Sequence, residues 1–143
     1  MSAMSDYLEN KLIDHVFRAQ TFAAPTALHI GLLTAAPSDA GGGTEVSGNS
    51  YARVALTPSL TNWKSTNNTT GAVSSGTGGN TKNAAAVTFP TPTGTWGTVS
   101  HFGIYDAATA GNLLFWGALT IAKTINQSDT VTFPVDSLSI TFA

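Results

Sequence analysis

The sequence predicts a mainly β protein: a jelly-roll-like sandwich or small barrel of about seven to eight antiparallel strands, preceded by one N-terminal α-helix. Three observations predict it. Short apolar stretches with period-two alternation recur from Leu28 to Phe142. Turn formers such as Pro37, Gly41 to Gly43, Asp106 and Asp129 separate them. Helical periodicity is confined to one stretch near the N-terminus. The length of 143 residues suits a single domain with a real core. We read residues 1–25 as helix and lead-in and 26–143 as the β-sandwich.

The helix is expected over Asp6 to Ala19. Leu8, Leu12, Ile13 and Val16 share one face. Asp6 is placed to cap, with Glu9 three residues on, and Asp14 to Arg18 is an i,i+4 ion-pair spacing. Phe17 and Phe22 lie partly off the stripe, either completing the core or meeting a neighbouring subunit. Leu28, Ile30 and Leu32 then alternate with Ala27, His29 and Gly31 as a half-buried strand. Ala52, Val54 and Leu56 alternate with Tyr51, Arg53 and Ala55 in the same way. The polar connection between them, Ala35 to Ser50, is longer than most loops in compact domains.

A low-complexity run of Ser, Thr, Asn and Gly covers Ser65 to Lys82 and reads as loop, with a short irregular strand near Ala72 to Ser74. Further strands are expected over Ala84–Phe89, Thr98–Tyr105 and Asn112–Ala122, the last two joined as a hairpin. The last of these three carries apolar residues on both faces, which predicts cover on both sides. Thr130–Phe133 and Ser137–Phe142 complete the set, with Leu138, Ile140 and Phe142 facing inward.

Composition narrows the function. Hydrophobic residues make up 42%, an ordinary share, but charged residues only 10%, far below the usual quarter. A surface built from hydroxyls, amides and backbone has little charge to keep copies apart and suits a protein packed against other subunits. The net charge of −2 and six scattered basic residues do not suit phosphate neutralisation, so no nucleic-acid partner is expected. The chain has no Cys, hence no disulfide or thiolate chemistry. No apolar run approaches a membrane span and no secretory signal is visible, so a cytoplasmic site of synthesis is expected.

No arrangement of residues suggests catalysis. There is no GxSxG elbow, and Gly41 to Gly43 is not followed by a Lys and a helix as a phosphate loop requires. Asp39 and Glu45 beside glycines could suggest calcium, but the spacing fits no known calcium loop. His15, His29 and His101 lack metal-ligand spacing. Neither a metal nor a cofactor is expected. Trp63, Trp96 and Trp116 read as plugs of core ends or subunit contacts, with sugar stacking as the alternative.

Several segments resemble small virion proteins of tailed bacteriophages: Leu28–Pro37 (LHIGLLTAAP), Gly42–Gly48 (GGTEVSG), Tyr51–Arg53 (YAR), Phe102–Asp106 (FGIYD), Gly111–Gly117 (GNLLFWG) and Asp129–Phe133 (DTVTF). The resemblance covers most of the chain. It implies a β-rich, oligomeric, non-enzymatic building block of the virion, assembled in the host cytoplasm. The first function it implies is capsid decoration: a cement protein on the outside of the head, touching the major capsid protein and copies of itself. The alternative is a tail or tail-fibre-associated protein that joins tail proteins or binds a host receptor. The expected subunit contacts are Phe17, Phe22, Glu45, Tyr51, Arg53, Trp63 and Trp96.

Overall fold

A computed structural model describes residues 2–142. The elements run β1 (Ser2–Met4), α1 (Asp6–Phe17), β2 (Leu28–Ala35), β3 (Thr44–Glu45), β4 (Val54–Leu56), β5 (Asn80–Lys82), β6 (Val87–Thr88), β7 (Gly97–Tyr105), β8 (Leu113–Ile125), β9 (Thr132–Phe133) and β10 (Ser139–Thr141). Six strands form one antiparallel sheet in the order β1-β8-β7-β2-β3, with β4 also on β2. Two ribbons, β5-β10 and β6-β9, supply a second layer. The protein is thus mainly β and sandwich-like. Its sheet stays open rather than closing into a barrel, and the described residues form ten strands where about seven to eight were expected.

Strand alternation sets the layers. On the sheet's inner face Ile30 lies beside Ile104, and Ile104 beside Phe115; Leu32 lies beside Phe102. These pack with Val87 and Phe89 near β6 and with Leu138 and Ile140 near β10 to make the core. Residues between them in sequence face the other way: His29, Gly31 and Leu33 on β2, and His101, Gly103 and Tyr105 on β7.

The helix forms where the periodicity places it, with two changes. Ser5, not Asp6, is the N-cap: its hydroxyl accepts from the Leu8 N–H at 3.3 Å and donates to the Leu113 carbonyl. Asp6 falls in the first turn, where its charge meets the positive end of the helix. The helix stops at Phe17, because Ala19 takes a left-handed φ of 56°. Asp14 and Arg18 do pair, at 2.9 Å. Leu8 is buried, but Ile13 and Val16 of the expected apolar face are exposed.

Other boundaries shift for identifiable reasons. The long Ala35–Ser50 connection is not all loop, since β3 folds back to pair with β2 through Glu45 opposite Leu33. No strand forms at Ala72–Ser74. The strand of that region is β5, at Asn80–Lys82, where Thr81 pairs with the buried Ile140 of β10. Phe142, expected inside, is 46% exposed and packs edge-on against Phe115 with ring centroids 5.1 Å apart. The β7-β8 hairpin is present, but its pairing jumps from Val99–Lys123 to His101–Ala118. Leu119 to Ala122 therefore bulge out opposite Ser100. The expected cover on both faces of β8 stops near Gly117; beyond it, Ile121 is exposed.

Asn83 ties the second layer together. It is fully buried, and its amide donates to the carbonyls of Ala85 and Pro134, each at 2.8 Å. Its side-chain oxygen accepts from the Leu138 N–H at 2.8 Å. Each polar atom of this side chain is thereby satisfied, as burial requires.

Candidate functional site

Most motifs of the sequence, though not Asp129–Phe133, converge on one place, the outer face of the sheet at β2, β3 and β7. Gly31 and Gly103 are directly opposite one another on adjacent strands. The Tyr105 ring lies over both: a Cβ on Gly103 would come within 2.7 Å of it, and one on Gly31 within 3.1 Å. Glycine is required here by close approach of a ring, not by its backbone angles. The Arg53 guanidinium stacks on the same ring, 3.4 Å from its centroid.

Arg53 then uses its planar fork. Its Nε donates to Glu45 Oε1 at 2.8 Å and its Nη2 to Oε2 at 2.7 Å, a two-point ion pair. Its Nη1 donates to the carbonyls of Ala107 and Ala110, both at 2.8 Å, closing the turn after β7. Asp106 holds that turn from inside, accepting from the backbone and side-chain nitrogens of Asn112. Tyr51 completes the cluster: its hydroxyl donates to Glu45 Oε1 at 2.8 Å and accepts from the Leu32 N–H at 2.8 Å.

Electrostatics follow from this packing. Burial pushes the Tyr51 hydroxyl far above its ordinary range; the Leu32 N–H works against this and the Glu45 charge reinforces it. Tyr105 is raised by burial and then by the Glu45 charge, with Arg53 opposing. Burial alone would lower Arg53, but the hydrogen bonds and charge of Glu45 outweigh it and raise its pKa. Tyr51 and Arg53 thus keep the protons that they donate to Glu45. The cluster fixes the β2–β4 connection and the β7–β8 turn to the sheet.

The remaining expected contact residues are scattered. Trp96 is buried in the core, packed edge-on to Tyr51 at 5.3 Å, with its Nε1 donating to the Asn49 carbonyl. It presents no ring face for a sugar. Trp63 is half-buried beside Leu28, Phe115 and Ile140. Phe22 is half-buried, and its N–H donates to His15 Nδ1 at 3.3 Å. Phe17 points to solvent. Among the described residues no group of three or more His, Asp or Glu side chains is placed to hold a metal ion.

The second surface feature is a groove of about 460 Å³ where the two layers part, floored by Leu32, Val99, Phe102 and Ile125. The β8 bulge forms one lip and the segment Asp129–Phe133 the other. Sequence reading missed it because the bulge is a pairing irregularity with no signature in the apolar pattern. Tyr105 was likewise not singled out, although two mid-strand glycines, Gly31 and Gly103, signalled a close approach.

The model of one protein family, the podophage GP4 fiber I protein gp80, matches residues 3–141. The chain belongs to this family. The match takes in the helix, the clamp, most of β1 and the strands β2 to β10. Membership in the gp80 fibre family makes the chain a phage structural protein, in agreement with the resemblance carried by the GLLTAAP, GGTEVSG, YAR and FGIYD segments. No curated protein sequence matches the chain.

Proposed function

We propose that this protein is a non-enzymatic component of a podophage virion fibre, attached to the tail apparatus rather than cementing the capsid. The observation that carries the reading is the fibre-family match over nearly the whole chain. The geometry supports it from a different side. The polar cluster of Glu45, Tyr51 and Arg53 is turned inward on itself as a clamp, which suits a rigid building block, and its residues are already partnered within the chain. The sparse surface charge suits a protein that lives in contact with others. Its partners on this reading are tail proteins and further copies of itself, with host-receptor binding as a role of the assembled fibre.

The test is copy number per purified virion, measured by quantitative mass spectrometry against the major capsid protein. A handful of copies, in a multiple of three or six, is the expected result. Hundreds of copies in simple ratio to the capsid protein would overturn the fibre reading in favour of capsid decoration.

A further inference from the structure

Two of the apolar surface features among the described residues lack a partner and differ in shape. One projects. Ile13, Val16 and Phe17 on α1 are 49%, 65% and 81% exposed. Leu8 faces the protein, so these three form a second stripe pointing away from it. The other is the groove between the β8 bulge and Asp129–Phe133, whose floor of Leu32, Val99, Phe102 and Ile125 is buried and whose lip exposes Ile121 at 79%.

The helix does not fill the groove of its own chain. None of the groove's lining residues belongs to α1. The helix starts against Leu113 and Leu114, and the chain after it rejoins the sheet at Leu28, which lies next to Leu56 and one residue from the His29–Tyr105 pair. The groove lies at the opposite end of β7 and β8, around Val99 and Ile125. We infer that the exposed stripe of α1 from one copy docks into the β8–β9 groove of the next copy, joining subunits head to tail.

Charge supports that occupant. Lys123 stands on the groove lip, exposed, and has no ion-pair partner among the described residues. Glu9 is one and two helical turns from Ile13 and Phe17 on the same side of α1, also exposed and also without an ion-pair partner among the described residues. It stands about 12 Å along the helix from Phe17. Asp129, on the facing lip, is half-buried and accepts from the Asn126 N–H at 2.8 Å, so Lys123 is the exposed charge of the groove, and a stripe with an acid at one end meets it there. Pairing α1 with α1 of another copy would leave the groove empty and Lys123 unmatched. A contact between two different patches is heterologous, so repetition closes a ring or propagates a filament. The inference concerns the isolated protein and stands apart from where in the virion it is mounted.

The test uses sedimentation velocity on the full chain over a range of concentrations. Phe17→Asp removes the projection and Ile121→Asp spoils the groove lip. Both side chains are largely exposed, so circular dichroism should show an unchanged fold. Should either variant misfold, Val16→Asp and Thr130→Arg replace them at exposed positions of the same two surfaces. The expected result is concentration-dependent assembly of the wild type and a monomer for each variant. An equimolar mixture of the two should give a one-to-one complex and nothing larger, because one variant keeps only the groove and the other only the helix. Lys123→Glu should weaken association about two- to fivefold, and Glu9→Lys in the same chain should restore it. A wild type that stays monomeric, an Ile121→Asp variant that assembles normally, or a mixture without the complex would each overturn the inference.

Discussion

Replacing Arg53 with Ala tests the clamp. The guanidinium makes four hydrogen bonds, two to Glu45 and two to the carbonyls of Ala107 and Ala110, and it covers the Tyr105 ring. At about 1.5–3 kcal/mol for each hydrogen bond to a charged group, simple addition would exceed about 6 kcal/mol. That sum overshoots, because the bonds share one side chain and Glu45 is 26% exposed, so water partly solvates the carboxylate left behind. Truncating one partner of a buried ion pair costs about 3–5 kcal/mol, and the exposure of Glu45 places Arg53→Ala near about 3 kcal/mol. With a urea m-value of about 2 kcal/mol/M, the unfolding midpoint should fall by about 1.5 M. Tryptophan fluorescence during urea unfolding reads this directly. Glu45→Gln and the double variant complete a cycle whose coupling should be about 1–3 kcal/mol. Arg53→Lys should recover little, since an ammonium cannot reproduce the fork or the stack. The reasoning fails if the Arg53→Ala midpoint lies within about 0.25 M of wild type. It also fails if the variant changes only assembly, since the residue would then serve a subunit contact.

Three further outcomes follow from the same geometry. Gly103→Ala places a Cβ within 2.7 Å of the Tyr105 ring and should cost about 1–3 kcal/mol in urea unfolding; in a Tyr105→Ala background the penalty should largely vanish. Asn83→Leu strands two buried carbonyls and the Leu138 N–H and should destabilise by about 3 kcal/mol or more, whereas a near-neutral result would mean that the second layer is not tied through this residue. Stability should fall as pH rises above about 10, because Tyr51 keeps its proton in the folded protein to a higher pH than in the unfolded chain, so the folded state binds more protons there. Urea midpoints at about pH 8 and about pH 11 measure the drop, and Tyr51→Phe should reduce it, leaving the smaller part that the raised Tyr105 contributes.

The inner face of the sheet was legible in the sequence because alternation is a local property: Ile30, Leu32, Phe102 and Ile104 mark their strands without reference to any partner. The helix was legible for the same reason, but its cap was not. Ser5 and Asp6 are both cap formers one residue apart, and the choice was made by the Leu113 carbonyl, more than a hundred residues away. The strand β5 escaped because Asn80-Thr81-Lys82 has no apolar alternation; it exists because Ile140 of β10 buries itself beside it. Glu45, Tyr51 and Arg53 were picked out as a set of contact residues, yet the structure brings them together within one chain, around a ring that reaches them from β7. Their meeting depends on the β2–β7 register, which no local pattern specifies. The exposed stripe on α1 was hidden by the same rule that found the helix. Ile13 and Val16 lie about 140° and about 80° round the wheel from the inward Leu8, so a single apolar face drawn through all three was too wide, and docking buries only its Leu8 edge.

The mounting of this protein in a tail fibre remains the central proposal. Gold-labelled antibody against the purified chain, applied to intact virions and viewed by electron microscopy, measures that placement most directly. Label confined to the tail end of the particle, on appendages, with the head surface clean, is the expected result. Label distributed evenly over the head would contradict it and return the protein to the capsid shell.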